Sequence, residues 1–134
     1  MKFLCFLILV FVSGSLFGQK KGKAPANDTI YDQAQVQEGA EFPGGMSGLQ
    51  EFLAKNVKYP EDCAVEGTQG KVYVEFVIEK NGKISNVKIK RGVYPSLDKE
   101  SMRVIGLMPK WKPAKNRGQK VRTKYICPIN YIIN

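Results

Sequence analysis

Lys71-Val72-Tyr73-Val74-Glu75-Phe76-Val77-Ile78-Glu79-Lys80-Asn81-Gly82 decides the fold of this chain. Val72, Val74, Phe76 and Ile78 alternate with Tyr73, Glu75 and Glu79, the period-two pattern of a strand with one buried face. Asn81-Gly82 is the pair favoured in tight hairpin turns, so the chain turns back into a second strand. That strand runs from about Lys83 to Arg91, with Val87 and Ile89 facing inward. Upstream, Gly67 and Gly70 break the chain before the first strand begins.

Working outward, Leu49, Phe52, Leu53 and Val57 recur at helical spacing, with Ser47 as a start signal and Pro60 as a stop after Tyr59. Pro60 to Val65 is a second short helical turn, opened by proline and two acids. Past Gly92 and Pro95, Ser96 is a natural cap for a helix whose inward stripe is Leu97, Ser101, Val104, Ile105 and Met108. Pro109 ends it, and Trp111-Lys112-Pro113-Ala114 is a rigid connector in which Trp111 closes a small core. Asn116-Arg117-Gly118 forms a turn, and a last strand spans Val121 to Ile133.

Helix, strand, strand, helix, strand is an α+β arrangement: a three-stranded antiparallel sheet with helices packed on one face. Strand directions place the last strand beside the first, so the sheet order is 2-1-3 and the last strand is an edge. Pro128 has no backbone N–H and is tolerated where a strand donor faces away from a partner. Alternation then turns the backbone groups of Arg122, Lys124, Ile126 and Asn130 to the open edge as well. An open edge is a docking place for an extended segment, along Arg122, Lys124 and Ile126.

The N-terminus assigns a compartment. Lys2 is followed by an apolar run, Phe3 to Val12, and then by small residues up to Gly18. Residues 1–18 form a secretory signal peptide cut near Gly18, which predicts a periplasmic protein. Phe3 to Phe17 is short for a membrane-spanning helix, which needs about 20 residues. Lys20, Lys21 and Lys23 oppose an anchor with its N-terminus in the cytoplasm. Residues 19–41 are polar and aperiodic and form a flexible leader; residues 42–134, opening with Phe42-Pro43-Gly44-Gly45, form one domain.

The formal charge is +9, which suits anionic partners, but the basic residues are scattered among acids and carry no nucleic-acid motif. There is no histidine, no CxxC and no phosphate or dinucleotide loop, so catalytic, metal and cofactor residues are expected to be none. Asp98 and Glu100 are charges at a helix start rather than a catalytic pair. Cys63 and Cys127, which follow the signal segment, are predicted to be free, buried thiols, with Cys127 facing the helices.

One series of residues runs from Tyr59 onward: Tyr59-Pro60, Gly67, Gln69-Gly70-Lys71-Val72, Phe76-Val77-Ile78, Asn81-Gly82-Lys83-Ile84, Val87, Ile89, Leu97-Asp98-Lys99-Glu100, Trp111-Lys112-Pro113-Ala114 and a final β-rich strand. In this order and spacing it resembles the C-terminal domain of TonB, the energy transducer of Gram-negative envelopes. With Phe42-Pro43-Gly44-Gly45 ahead of it, it resembles the Bacteroidetes-type version.

The resemblance implies a periplasmic protein that catches the TonB box, an extended segment of an outer-membrane transporter, as an added strand. It implies that Lys58, Tyr59 and Pro60 lie near that partner, and that an inner-membrane proton-driven motor supplies energy. It also gives Gly70, Asn81, Gly82, Trp111 and Pro113 structural roles. The chain departs from the family's long Pro-rich spacer: the 23 residues from Gln19 to Glu41 reach at most about 76 Å. A stand-alone envelope scaffold, with homodimerisation as one form of it, is the alternative, and a basic binder of glycan or lipid is a third.

Overall fold

The computed structural model describes residues 28–134. The expected signal segment, and residues 19–27 of the expected leader, lie outside the described residues.

The central hairpin forms where the alternation predicts it. Strand β2 covers Gly70–Ile78 and β3 covers Ile84–Arg91. Val72, Val74, Phe76 and Ile78 are all fully buried, and Val87 and Ile89 pack partly against the same core. The turn between them differs from a two-residue hairpin. Gly82 donates to the Glu79 carbonyl and Glu79 to that of Lys83, so Lys80, Asn81 and Gly82 form a three-residue loop. Only Gly82 of these has positive φ, +88°. Its carbonyl accepts the Trp111 N–H at 2.9 Å, and a Cβ on Gly82 would lie 2.2 Å from the Trp111 carbonyl oxygen. Close approach of the connector, as well as the turn, therefore requires glycine here.

Helix α1 spans Gly45–Asn56, two residues earlier than Ser47 suggests, because Gly44 at φ +86° acts as its cap. Helix α2, Glu61–Glu66, opens after Pro60 with Glu61 and Asp62 in its first turn and closes on left-handed Gly67. Helix α3, Pro95–Ile105, is capped by Tyr94 with Pro95 in its first turn, not by Ser96. The Ser96 hydroxyl instead donates to Asp62 Oδ2 at 2.6 Å, tying α3 to α2. Leu97, Ser101, Val104 and Ile105 are the buried stripe of α3. The one hydroxyl in it is satisfied, since Ser101 Oγ lies 2.8 Å from the Leu97 carbonyl and 2.9 Å from Tyr131 Oη.

The last strand, β5, runs Gln119–Tyr131 and pairs antiparallel with β2 from Gly70↔Tyr131 to Ile78↔Thr123. The expected neighbour order 2-1-3 is thus present as β3-β2-β5, but the sheet is larger and mixed. Two short strands join it: β4, Ala114–Asn116, pairs antiparallel with β5, and β1, Ile30–Asp32, lies parallel on the outer side of β5. The β4–β5 connection is the two-residue turn, with Arg117 at φ +55° and Gly118 at φ +77°.

Part of the expected flexible leader also belongs to this structure. Glu38 and Lys115 exchange both backbone hydrogen bonds, at 2.8 and 3.0 Å, and Glu41 and Lys112 do the same. Ala40 and Phe42 enter the core. Trp111 is 4% exposed and meets Phe42 and Phe76 edge-on, at centroid distances of 5.5 and 5.7 Å. Cys63 and Cys127 are buried and unbonded. Burial pushes the Cys127 thiol up to about 11.

Candidate functional site

Strand β5 offers two distinct surfaces. Its odd-numbered side chains from Thr123 to Tyr131 point at the helices, and Thr123, Cys127, Ile129 and Tyr131 are buried. Its even-numbered side chains lie on the opposite face of the sheet. Backbone groups alternate in the same rhythm but within the plane of the sheet. Pro128, opposite Tyr73 of β2, has no donor to give, so the even positions turn their backbone groups away from β2. Arg122, Lys124, Ile126, Pro128 and Asn130 therefore line the outer edge.

That edge is half occupied. Ile30, Tyr31 and Asp32 of β1 stand opposite Arg122, Thr123 and Lys124. Lys124 Nζ lies 3.4 Å from Asp32 Oδ1, and both side chains are open to solvent. Arg122 is held more firmly. Its guanidinium grips the Glu79 carboxylate at 2.8 and 3.1 Å and reaches the Asp28 carbonyl at 3.0 Å. The Arg122 hydrogen bonds, with another from Ser85, hold the Glu79 carboxyl below its usual range against the opposing effect of burial. Just past β1, Gln33 donates from Nε2 to Thr123 Oγ1 at 3.0 Å and accepts the Ala40 N–H at 2.9 Å. Beyond Lys124 nothing pairs with the edge among the described residues. Ile126 is 39% exposed, and Pro128 and Asn130 are exposed. A groove of about 680 Å³ borders this lower half, with Leu53 and Ala54 of α1 and the following Val57 on one side and Pro128 and Asn130 on the other.

The expected partner residues do not form one cluster. Arg122, Lys124 and Ile126 share the edge. Lys58, Tyr59 and Pro60 sit at the other end of β5, where the Tyr59 ring meets that of Tyr131 edge-on at 5.6 Å. Tyr131 lies eight residues past Thr123, about 26 Å along a strand. Tyr59 is tied inward as well, donating its hydroxyl to the Thr68 carbonyl, and burial pushes its phenol upward. The Lys58 N–H donates to Glu100 Oε2 at 2.7 Å, and Pro60 caps α2. Gly70 starts β2 with the Val93 side chain 2.9 Å from where a Cβ would stand, and Pro113 is half-buried in the connector. Sequence reasoning missed Asp28, Ile30 to Gln33 and the grip of Glu79 on Arg122. Ile30-Tyr31 is a two-residue apolar signal in a polar stretch, too short to show a period. Among the described residues no group of three or more His, Cys, Asp or Glu is arranged to hold a metal ion, and no helix is long and apolar enough to cross a membrane.

Comparison with known proteins bears on this geometry. The family model for the Gram-negative bacterial TonB protein C-terminal matches residues 55–133. The fold is similar to that of an NMR solution structure of the Helicobacter pylori TonB C-terminal domain, its residues 179–285, with a TM-score of 0.51 and 21% identity. That match covers 64% of this chain and 78% of the other. A second structure of the same domain, residues 194–285, gives a TM-score of 0.47 at 21% identity, over 64% of this chain and 90% of the other. No curated protein matches the chain.

Proposed function

Since the chain belongs to the family of Gram-negative bacterial TonB C-terminal domains, an envelope-associated and transport-related family without catalytic activity, we propose that it binds the TonB box of an outer-membrane transporter by adding that segment as a strand to β5. The observation that carries this reading is the outer edge of β5. It is a long strand, paired along one side by β2 and β4, whose other side is paired, among the described residues, only at Arg122 to Lys124. An added strand gains affinity from backbone hydrogen bonds and selectivity from alternate side chains. Lys124 supplies a solvent-exposed positive charge beside that edge, Arg122 being held by Glu79, and Ile126 supplies an exposed apolar contact. Lys58, Tyr59 and Pro60 stand too far along β5 to touch a segment on Arg122 to Ile126, so the proposal gives them a structural part.

Lys124→Pro removes an outward donor and leaves the inward ladder to β2 intact. Titrating a TonB-box peptide into wild type and Lys124→Pro, followed by amide chemical shifts, tests the reading, with thermal melting as the folding control. The expected result is shift changes along β5 in wild type and at least tenfold weaker binding in the variant. Unchanged affinity in a folded variant means that the partner docks elsewhere. The reading also includes export: residues 1–18 act as a signal segment and the mature protein begins near Gln19 in the periplasm. Intact-mass measurement of natively expressed protein checks this, and a full-length membrane-embedded chain refutes it.

A further inference from the structure

We infer that β1 is a resident occupant of the partner site, and that a binding segment must displace it and imitate it: the segment runs parallel to β5 and carries a carboxylate opposite Lys124. The inference rests on the strand-addition reading of β5. It is drawn from the coincidence of two sets of residues. Arg122 and Lys124 are two of the five edge positions that parity turns outward, they belong to the stretch Arg122 to Ile126 on which the added strand is proposed to lie, and they are the two that β1 covers. Docking of a second strand there and pairing of β1 exclude one another.

The attachment of β1 is weak where displacement requires it and firm immediately beyond. The strand is three residues long. None of them belongs to the hydrophobic core or packs against it. Ile30 is 40% exposed, and the Asp32–Lys124 ion pair is solvent-exposed and screened by salt. From Gln33 onward the same segment is anchored by the Gln33–Thr123 hydrogen bond, the packing of Val36, Ala40 and Phe42, and the bridges of Glu38 to β4 and Glu41 to the connector. The segment can therefore peel back to Gln33 without disturbing the domain.

The geometry also specifies what replaces β1. A parallel direction is set by β1 itself. The residue taking the place of Tyr31 stands opposite Thr123, where a β-branched or aromatic residue suits the pleat. The next residue stands opposite Lys124, where an acid regains the ion pair lost with Asp32. While β1 is docked, the apparent affinity for any such segment is lowered by the fraction of molecules whose edge is free.

The test uses the full chain and a synthetic peptide copying Asp28 to Gln33. Two variants release β1: Tyr31→Pro removes its central N–H, and Asp32→Lys turns the ion pair into a repulsion. Both residues lie outside the core, so the melting temperature should stay near that of wild type. The peptide is expected to bind each variant about tenfold more tightly than wild type, shifting the Lys124 amide. The same peptide with lysine in place of its last aspartate should bind at least fivefold more weakly at low salt. Without peptide, the Lys124 amide should exchange at least tenfold faster in Tyr31→Pro. Equal peptide affinity in wild type and both variants, or unchanged Lys124 protection, overturns the inference and leaves strand addition standing. No perturbation of β5 by this peptide or by a TonB-box peptide, in any of the three proteins, overturns both.

Discussion

Gly82 shows how one residue serves two constraints, only one of which is written in the sequence. Asn81-Gly82 announces a turn, and a turn is there. The glycine is also needed because the Trp111 backbone passes 2.2 Å from its missing Cβ. Gly118 gives the control: it has a similar φ, +77°, and nothing within 4 Å of a Cβ. Gly118→Ala should cost about 1 kcal/mol, the left-handed backbone alone. Gly82→Ala should cost more, about 3 kcal/mol, since the connector must shift. Urea denaturation of the two variants measures the difference, and equal costs would show that the close approach does not matter. The same limit explains the other residue-level surprises. Ser96 is a sound cap by type, but Pro95 fits the first helical turn and leaves the hydroxyl free for Asp62. Tyr59 can be flagged by its motif, but its partners, Tyr131 and the Thr68 carbonyl, become neighbours only through the fold.

Elements were legible in proportion to their length. β2, β3, β5 and α3 show enough periods of their pattern to be read directly, and their pairing follows from direction alone. β1 and β4 have three residues each and show no period. β4 exists because β5, at 13 residues, outruns the nine residues of β2 and leaves backbone groups at Gln119 to Val121 for another segment to satisfy, whereas β1 satisfies groups on the other side of β5, at Arg122 to Lys124. The two hairpins are joined by Glu79 and Arg122, which clamp the end of β2 to β5. This clamp makes part of the stability depend on pH. Arg122 depresses the folded-state pKa of Glu79, so its contribution is complete above the unfolded carboxyl value of about 4.3 and disappears as pH falls through the folded value. Arg122→Gln should lower stability by about 1 kcal/mol at pH 7 and by much less at pH 3. Melting temperatures of both proteins across that range test it; a gap that stays constant down to pH 3 would assign the loss to packing.

At the scale of the whole molecule, the order of the three main strands was readable, while the extent of the folded unit was not. A polar, aperiodic leader looks flexible because composition reports side chains, whereas residues 30–41 are held through backbone pairing, one glutamine side chain and two isolated apolar residues, Val36 and Ala40. The edge of β5 was readable from Pro128, but its partial occupation was not, because nothing in Ile30-Tyr31-Asp32 alone announces a strand. The family match begins at residue 55, and the segment that precedes it still completes the core. Phe42 is the test case: it is 7% exposed, with ring centroids 5.3 Å from Phe52 and 5.5 Å from Trp111. It thus joins the segment that directly follows the leader to α1 and the connector. If this segment belongs to the same cooperative unit as the sheet, truncating its ring must lower the stability of the whole domain. Phe42→Ala should cost about 3 kcal/mol, as for other buried aromatic truncations. For a domain near 100 residues, each kcal/mol moves the melting temperature by roughly 4 °C or more, so the midpoint should fall by about 12 °C or more. The melt should stay a single transition, seen alike by far-ultraviolet circular dichroism and by Trp111 fluorescence. A fluorescence transition that moves down while the sheet signal melts at the wild-type temperature would mean that the segment around Phe42 and α1 form a separate layer, docked on a sheet that stands without them.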